Sequence, residues 1–372
     1  MEKLCKMLSR LLCCAIAAAA AGLSGMYALL PSAMSVEAGA SDSSCWLGTE
    51  LRENSLYLGS VPIKQVELDK TERPMLIPCG TPFGIKLRTD GVMAVTVTEG
   101  SPAEKSGICE GDIILSVNGE AVSSNSGISS AIQLCPEKCE IILRRGDSEK
   151  LVTAVPYKDL GIYKIGLWVR DSAAGLGTMT YFDAESGIYG GLGHPVSDVT
   201  TGTLMPLGSG EITAADITGI VKGTAGDPGE LCGTLIADDT LGTLEKNTAC
   251  GIFGRTSHAP CDGEALPMAF RQEVTTGDAT ILATISGAQP KEYDIRIEHI
   301  NLCDMESSKS MVIRITDEEL LQETGGIVCG MSGSPIIQNG RLVGAVTHVF
   351  LNDPERGYAV FCETMLEMAA ER

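Results

Sequence analysis

The stretch Gly330-Met331-Ser332-Gly333-Ser334-Pro335 runs into Ile336-Ile337, the turn Gln338-Asn339-Gly340 and an apolar run from Leu342 to Phe350. Two β-type runs joined through Asn-Gly read as a hairpin, because both turn residues tolerate the positive φ of a type I′ turn. Ahead of the hairpin, Gly-x-Ser-Gly-x-Pro bends the chain sharply. The bend presents the Ser332 hydroxyl while aiming the backbone N–H groups of Ser332 and Gly330 at one point, where the oxyanion of a tetrahedral intermediate would sit. Small residues are needed there because a substrate backbone must come close. Ser334 is a rival nucleophile, but only Ser332 has the Gly-x-Ser-Gly frame. The plain alternative is a glycine-serine hairpin with no chemistry.

Outward from this turn, the chain from Gly161 to its end alternates short β-type runs with glycine turns: Met179–Phe182, Asp294–Ile300, Ser310–Ile315 and Leu342–Phe350. An all-β barrel or sandwich of about 200 residues is expected. Between Leu76 and Tyr157 strands alternate with one helix near Ser126–Leu134, which reads as a small mixed domain. Residues 41–75 are polar, with one strand-like run at Ser55–Val66, and read as a spacer with an edge strand. The composition agrees: glycine is 43 of 372 residues and aromatics only 4%, which favours short strands and tight turns over long helices. Net charge is −20, from 28 basic and 48 acidic residues. Such a surface repels phosphate backbones, so nucleic-acid binding is excluded.

Lys3, Lys6 and Arg10 precede a stretch, Leu11 to Val36, without charge, apolar from Leu11 to Leu30. This is an export signal, and its length favours an uncleaved anchor over a removable one, whose apolar region is usually ~7–15 residues. Ala38-Gly39-Ala40 ahead of Ser41-Asp42 is the competing sign of removal. The rest of the chain is expected outside the cytoplasm. Of fourteen cysteines, Cys5, Cys13 and Cys14 lie in the anchor, and the other eleven contain no C-x-x-C pair. Structural zinc is poorly supported, and most are expected as small buried apolar residues, with some disulfides possible.

Serine proteases of the chymotrypsin kind use a turn similar to Gly330–Pro335, and their serine needs a base. The chain offers His194, His258, His299 and His348. His194 has the distinctive setting, Gly190-Gly191-Leu192-Gly193-His194-Pro195, far upstream of the serine. His348, on the strand after the turn, is the alternative base. A carboxylate must then hold the imidazole tautomer. Asp317, fifteen residues before Ser332, and Asp198, four after His194, rank equally on chemistry alone. A metal-dependent hydrolase built on His194 and Asp198 lacks further ligands at plausible spacing. No metal or cofactor is expected.

The order Pro82-Phe83-Gly84-Ile85, then Ser101-Pro-Ala to Gly107-Ile108, then Gly111-Asp-Ile-Ile to Asn118-Gly119 is similar to PDZ domains. The resemblance makes Phe83, Gly84 and Ile85 the loop whose N–H groups hold a peptide carboxylate, next to a strand that accepts a guest by β-augmentation.

Lys164-Ile-Gly-Leu-Trp-Val-Arg-Asp171 to Thr180, Ser186-Gly-Ile-Tyr-Gly-Gly-Leu-Gly-His194, and Thr324-Gly-Gly-Ile-Val-Cys-Gly-Met-Ser332-Gly-Ser-Pro-Ile resemble the SpoIVB peptidase family. The resemblance covers nearly everything after residue 75. It implies a mainly β protein with an anchor (1–40), a spacer (41–75), a PDZ-like domain (76–158) and a trypsin-like double β-barrel serine protease domain (159–372). It assigns the catalytic roles to His194, Asp317 and Ser332, with the N–H groups of Gly330 and Ser332 as oxyanion hole. It also implies a sporulation protease between the forespore and mother-cell membranes, which cleaves itself and then an inhibitory partner of a membrane-embedded metalloprotease, releasing the late mother-cell sigma factor. Cys329, where family members often carry Gln, and Pro195 depart from the pattern and bear on fine specificity. A non-catalytic adaptor acting through the PDZ groove is the reading from a different class.

Overall fold

The computed structural model describes residues 2–38, 45–46, 48–52, 54–256, 261–301 and 307–370. Gly39 to Asp42 of the expected processing region, and His258, lie outside the described residues. Helix α1 (Glu2–Leu29) contains the uncharged stretch from Leu11 as far as Leu29. Within the helix it carries an alanine run at Ala17–Ala21, followed by Gly22, Ser24 and Gly25. Among the described residues, no helix is long and apolar enough to cross a membrane.

The segment expected as a spacer is folded. Ala33–Glu37 pairs in parallel with Glu67–Thr71, and four short strands between Cys45 and Gln65 form a second sheet. Leu30, Met34, Leu51, Leu56 and Val66 close a small core of their own. Thr49 to Arg52 alternate buried and exposed, the period-2 pattern of a half-buried strand.

Strand β1 (Pro82–Val97) serves two parts of one large sheet. From Val92 onward it meets β2 (Ile113–Val117), which pairs with β3 (Cys139–Arg145) and then β4 (Ser148–Ala154). Helix α2 (Pro102–Lys105) is capped by Ser101, whose hydroxyl accepts the Glu104 N–H at 3.2 Å, and carries Pro102 in its first turn. Helix α3 (Asn125–Leu134) closes this unit, its Ile128 and Ile132 joining the core of Val92, Ile114 and Ile141. Asn118 and Gly119, at φ 52° and 83°, make the expected turn.

The first half of β1 pairs elsewhere. Strand β5 (Leu167–Phe182) runs antiparallel to the whole of β1, from Leu167 opposite Val97 to Thr178 opposite Pro82. With β6 (Ile188–Gly191), β7 (Leu207–Val221), β8 (Glu230–Thr248) and β9 (Gly251–Thr256), the pairings run β1–β7–β8–β9–β6–β5 and return to β1. Phe83, Leu87, Met179, Tyr189, Ile212 and Ile252 fill the interior.

This pairing corrects the expected peptide loop. Phe83, Gly84 and Ile85 are strand residues bonded on both edges, to Gly177, Leu176 and Gly175 of β5 and to Ala214, Thr213 and Ile212 of β7. No free N–H cradle exists there for a carboxylate. Phe83 is fully buried against Tyr189, a burial that stabilises by about 1.5–3 kcal/mol and is lost in an exposed loop. A Cβ on Gly84 would lie 2.6 Å from both the Leu235 and Thr213 side chains, so Gly84 makes room for barrel packing.

A separate sheet in the last hundred residues closes completely. Strands β10 (Gly277–Ala283), β11 (Lys291–Ile300) and β12 (Met311–Ile315) are followed by helix α4 (Glu318–Thr324), then β13 (Pro335–Gln338), β14 (Arg341–Phe350) and β15 (Asp353–Phe361). Their order is β10-β11-β12-β15-β14-β13, a six-stranded barrel around Ile281, Ile295, Ile313, Val346 and Phe361. Cys79 and Cys261 form a disulfide. Cys139, Cys250 and Cys362 are buried as small apolar residues, while Cys109, Cys232 and Cys329 are exposed.

Candidate active site

Ser332 sits in the turn before β13, between Gly330 at φ 99° and Gly333 at φ 100°, a region that L side chains rarely adopt. Strand β5 anchors the turn from behind. Thr178 bonds the Gly330 carbonyl through its hydroxyl at 2.7 Å and the Ser332 carbonyl through its N–H at 3.0 Å, and the Thr180 hydroxyl bonds the Gly333 carbonyl at 2.8 Å. On the other side the Gly333 N–H donates to Val346 of β14. The turn's carbonyls are thus drawn backward. Among the described residues the N–H groups of Gly330 and Ser332 donate to no protein acceptor, which leaves both available to a developing oxyanion.

His194 follows β6 through a strained corner. Leu192 and Gly193 both have positive φ, 63° and 68°; the first costs a non-glycine residue roughly 1–3 kcal/mol, a burden often borne at functional sites. Gly193 also allows close approach, since a Cβ there would meet Thr347 of β14 at 2.8 Å. His194 and Ser332, one from each six-stranded unit, line the same cavity of about 280 Å³, walled by Ile85, Leu176 and Leu192. A larger hollow of about 690 Å³, along Lys86, Arg88, Asp171 and Glu211, includes neither residue but shares Ala173 and Ala174 with this cavity.

The Nδ1 of His194 lies 2.8 Å from the Pro195 carbonyl. A carbonyl only accepts, so this nitrogen carries the proton and Nε2 keeps the lone pair, the tautomer of a general base. Burial pushes the His194 pKa below its ordinary 6.5, with the Pro195 bond opposing. The imidazole is therefore neutral at pH 7. His348 of β14 faces it, ring centroids 5.1 Å apart. Burial, then His194 and Lys309, push the His348 pKa down to about 4, and its Nδ1 has no hydrogen-bond partner among the described residues. The Ser332 hydroxyl donates to the Thr347 carbonyl at 2.8 Å, so a rotation about χ1 must precede transfer of its proton to His194.

Neither candidate carboxylate meets His194 among the described residues. Asp317 is the N-cap of α4: its carboxylate accepts the Leu320 N–H at 2.9 Å and the Asp294 N–H at 3.4 Å. Asp198 is fully buried in its own loop, accepting the N–H groups of Thr200 and Thr201 and pairing with Arg170 at 2.8 Å. Those ties also remove it from the metal-ligand reading. Thr178, Thr180 and Thr347 were not singled out from sequence. Thr178-x-Thr180 does carry a signal, because two polar residues at period 2 on an apolar strand share one face.

A family model described as "SpoIVB peptidase S55" matches residues 161–366, more than half of the chain, and a PDZ domain model matches residues 93–145. Over 68 residues the chain is 37% identical to Serine protease HTRA1 of Xenopus tropicalis, which spans 18% of this chain and 15% of that protein. Over 89 residues it is 33% identical to a probable periplasmic serine endoprotease DegP-like of Chlamydia trachomatis, 22% of this chain and 18% of that one. Among solved structures, the Rv3671c protease from M. tuberculosis in its active form is 17% identical, over 53% of this chain and 74% of that one, with a TM-score of 0.32. With a PDZ unit on the β1–β5 ribbon and the Gly-Met-Ser-Gly-Ser-Pro turn inside the matched region, the chain belongs to the SpoIVB peptidase S55 family.

Proposed function

We propose that the chain is a regulatory serine endopeptidase in which Ser332 attacks the scissile carbonyl, His194 takes and returns the proton, and the N–H groups of Gly330 and Ser332 hold the oxyanion. One observation carries this reading: Ser332 and His194 come from separate six-stranded units onto one cavity, with both oxyanion donors unspent. The circuit through β1 and β5 to β9, together with the closed barrel of β10 to β15, supports a trypsin-like double barrel. The PDZ unit then begins near Val92 and sits within the protease chain. The family supports the wider role: export, residence between forespore and mother-cell membranes, tethering by the N-terminal segment, self-cleavage, and cleavage of an inhibitory partner of a membrane metalloprotease that controls the late mother-cell sigma factor.

Fluorophosphonate treatment of the full chain, followed by peptide mapping, is expected to place the adduct on Ser332. The Ser332 hydroxyl bonded to Thr347 favours the second reading, an adaptor that holds membrane partners without turnover. Folded protein without an adduct would select it.

Asp317 is proposed to act as the cap of α4, the helix that leads into the oxyanion loop. Asn caps as well as Asp, so Asp317→Asn is expected to keep the labelling rate within about threefold of wild type. Asp317→Ala is expected to lose about 1 kcal/mol in denaturant melts. A fall near 10⁴-fold in the Asn variant would instead restore the carboxylate to the side of the imidazole.

A further inference from the structure

Among the described residues no carboxylate meets His194 and its imidazole is held by a main-chain carbonyl, and a carbonyl orients a ring only if it is itself fixed. Pro195 contributes no N–H to hold its own peptide in place. The residue after it is clamped from a distance. Asn247, near the end of β8, accepts the Val196 N–H on Oδ1 at 2.8 Å and donates from Nδ2 to the Val196 carbonyl at 2.8 Å and the Met205 carbonyl at 2.9 Å. One carboxamide thus replaces a strand partner for Val196. The Met205 N–H completes the clamp on the Val196 carbonyl at 3.0 Å. Asn247 stands opposite Ile252 of β9, which stands opposite Gly191 of β6, the strand that delivers His194. Barrel framework therefore holds the loop on both sides of the base.

We infer that Asn247 is a positioning residue for the general base: it fixes Val196, and through it aims the Pro195 carbonyl at His194 Nδ1, the orienting task a carboxylate performs in a serine protease triad. Only an amide serves here, because the clamp needs one acceptor and two donations from one planar group. Asp in this place would keep the acceptor and set a carboxylate oxygen against two carbonyls. The inference rests on the proposed roles of Ser332 and His194.

Saturable fluorophosphonate labelling of the full chain separates the maximal rate from the half-saturating concentration. Asn247→Ala and the near-isosteric Asn247→Asp are expected to lower the maximal rate about 10–100-fold, the cost of a base displaced by about an ångström. The half-saturating concentration should stay close to wild type, and the rate per folded molecule should fall further than any loss of folded protein accounts for. An unchanged maximal rate overturns the inference, as does a rate that falls only in step with the folded fraction, or a rise in half-saturating concentration alone. Wild-type protein that is folded yet unlabelled overturns the serine-hydrolase reading and this inference together; labelled wild type with equally fast variants removes only the role of Asn247.

Discussion

Replacing His194 with alanine is expected to slow fluorophosphonate labelling of Ser332 by about 10⁴–10⁶-fold, while His348→Ala slows it by no more than about tenfold. Members of a nucleophile-base pair act as a unit, so loss of the base removes nearly all activation of the hydroxyl. Both imidazoles are within reach of the site, but only His194 has one nitrogen committed to a carbonyl and the other free for a proton. The Nδ1 of His348 is buried without a partner among the described residues, and none of them fixes its tautomer. The pH dependence carries the same assignment. The base works when neutral, and burial lowers the His194 pKa, so labelling persists as pH falls below 6.5 and is lost only on passing through the depressed value. The group facing it, His348, stays neutral until about pH 4, with Lys309 the cation beyond it. A rate profile with its midpoint at or above 6.5 would overturn a base whose pKa burial depresses, and a His348→Ala variant slower than His194→Ala would move the base to His348.

The parts of the site legible in sequence are those whose geometry is local. Gly-x-Ser-Gly-x-Pro bends the chain by its own backbone preferences, and Asn118-Gly119 and Asn339-Gly340 turn where their positive φ allows. The β-type runs around Met179, Asp294 and Leu342 became strands for the same reason. Phe83-Gly84-Ile85 was not decidable locally. An apolar-glycine-apolar triplet suits both a carboxylate loop and a tightly packed strand, and the choice fell to pairing with β5 and β7, distant in sequence. Asp317 carried a second legible signal, an Asp directly before Glu318-Glu319 at the start of a helix, which the carboxylate requirement of a triad overshadowed. Leu51, Leu56 and Val66 are scattered through a polar stretch, and their small core depends on Leu30 and Met34, which follow α1. Asn247 left no trace, because a side chain that clamps backbone two strands away has no spacing to be recognised by.

Gly333→Ala is expected to abolish labelling and lower the yield of folded protein together. At φ 100°, an alanine meets backbone strain of about 1–3 kcal/mol, and its Cβ would lie 1.9 Å from the Thr178 carbonyl and 2.7 Å from the Leu192 nitrogen. Both obstacles are backbone atoms of the β5 and β6 framework, so no side chain can swing aside. Relief requires the turn to withdraw from β5, breaking the bonds from Thr178 to Ser332 and from Thr180 to Gly333. Those bonds hold the nucleophile turn against the strand that also walls the cavity, and a shift of about 1 Å there costs about 100-fold in rate. Gly340→Ala is the control: at φ 72° it bears similar strain, but its Cβ would meet nothing within 4 Å. The contrast separates strain from collision. If Gly333→Ala labelled no more slowly than Gly340→Ala in folded protein, the close seat of the turn against β5 would have no part in the chemistry. A hundredfold gap would instead make the close seat of the turn against β5 part of the catalytic geometry.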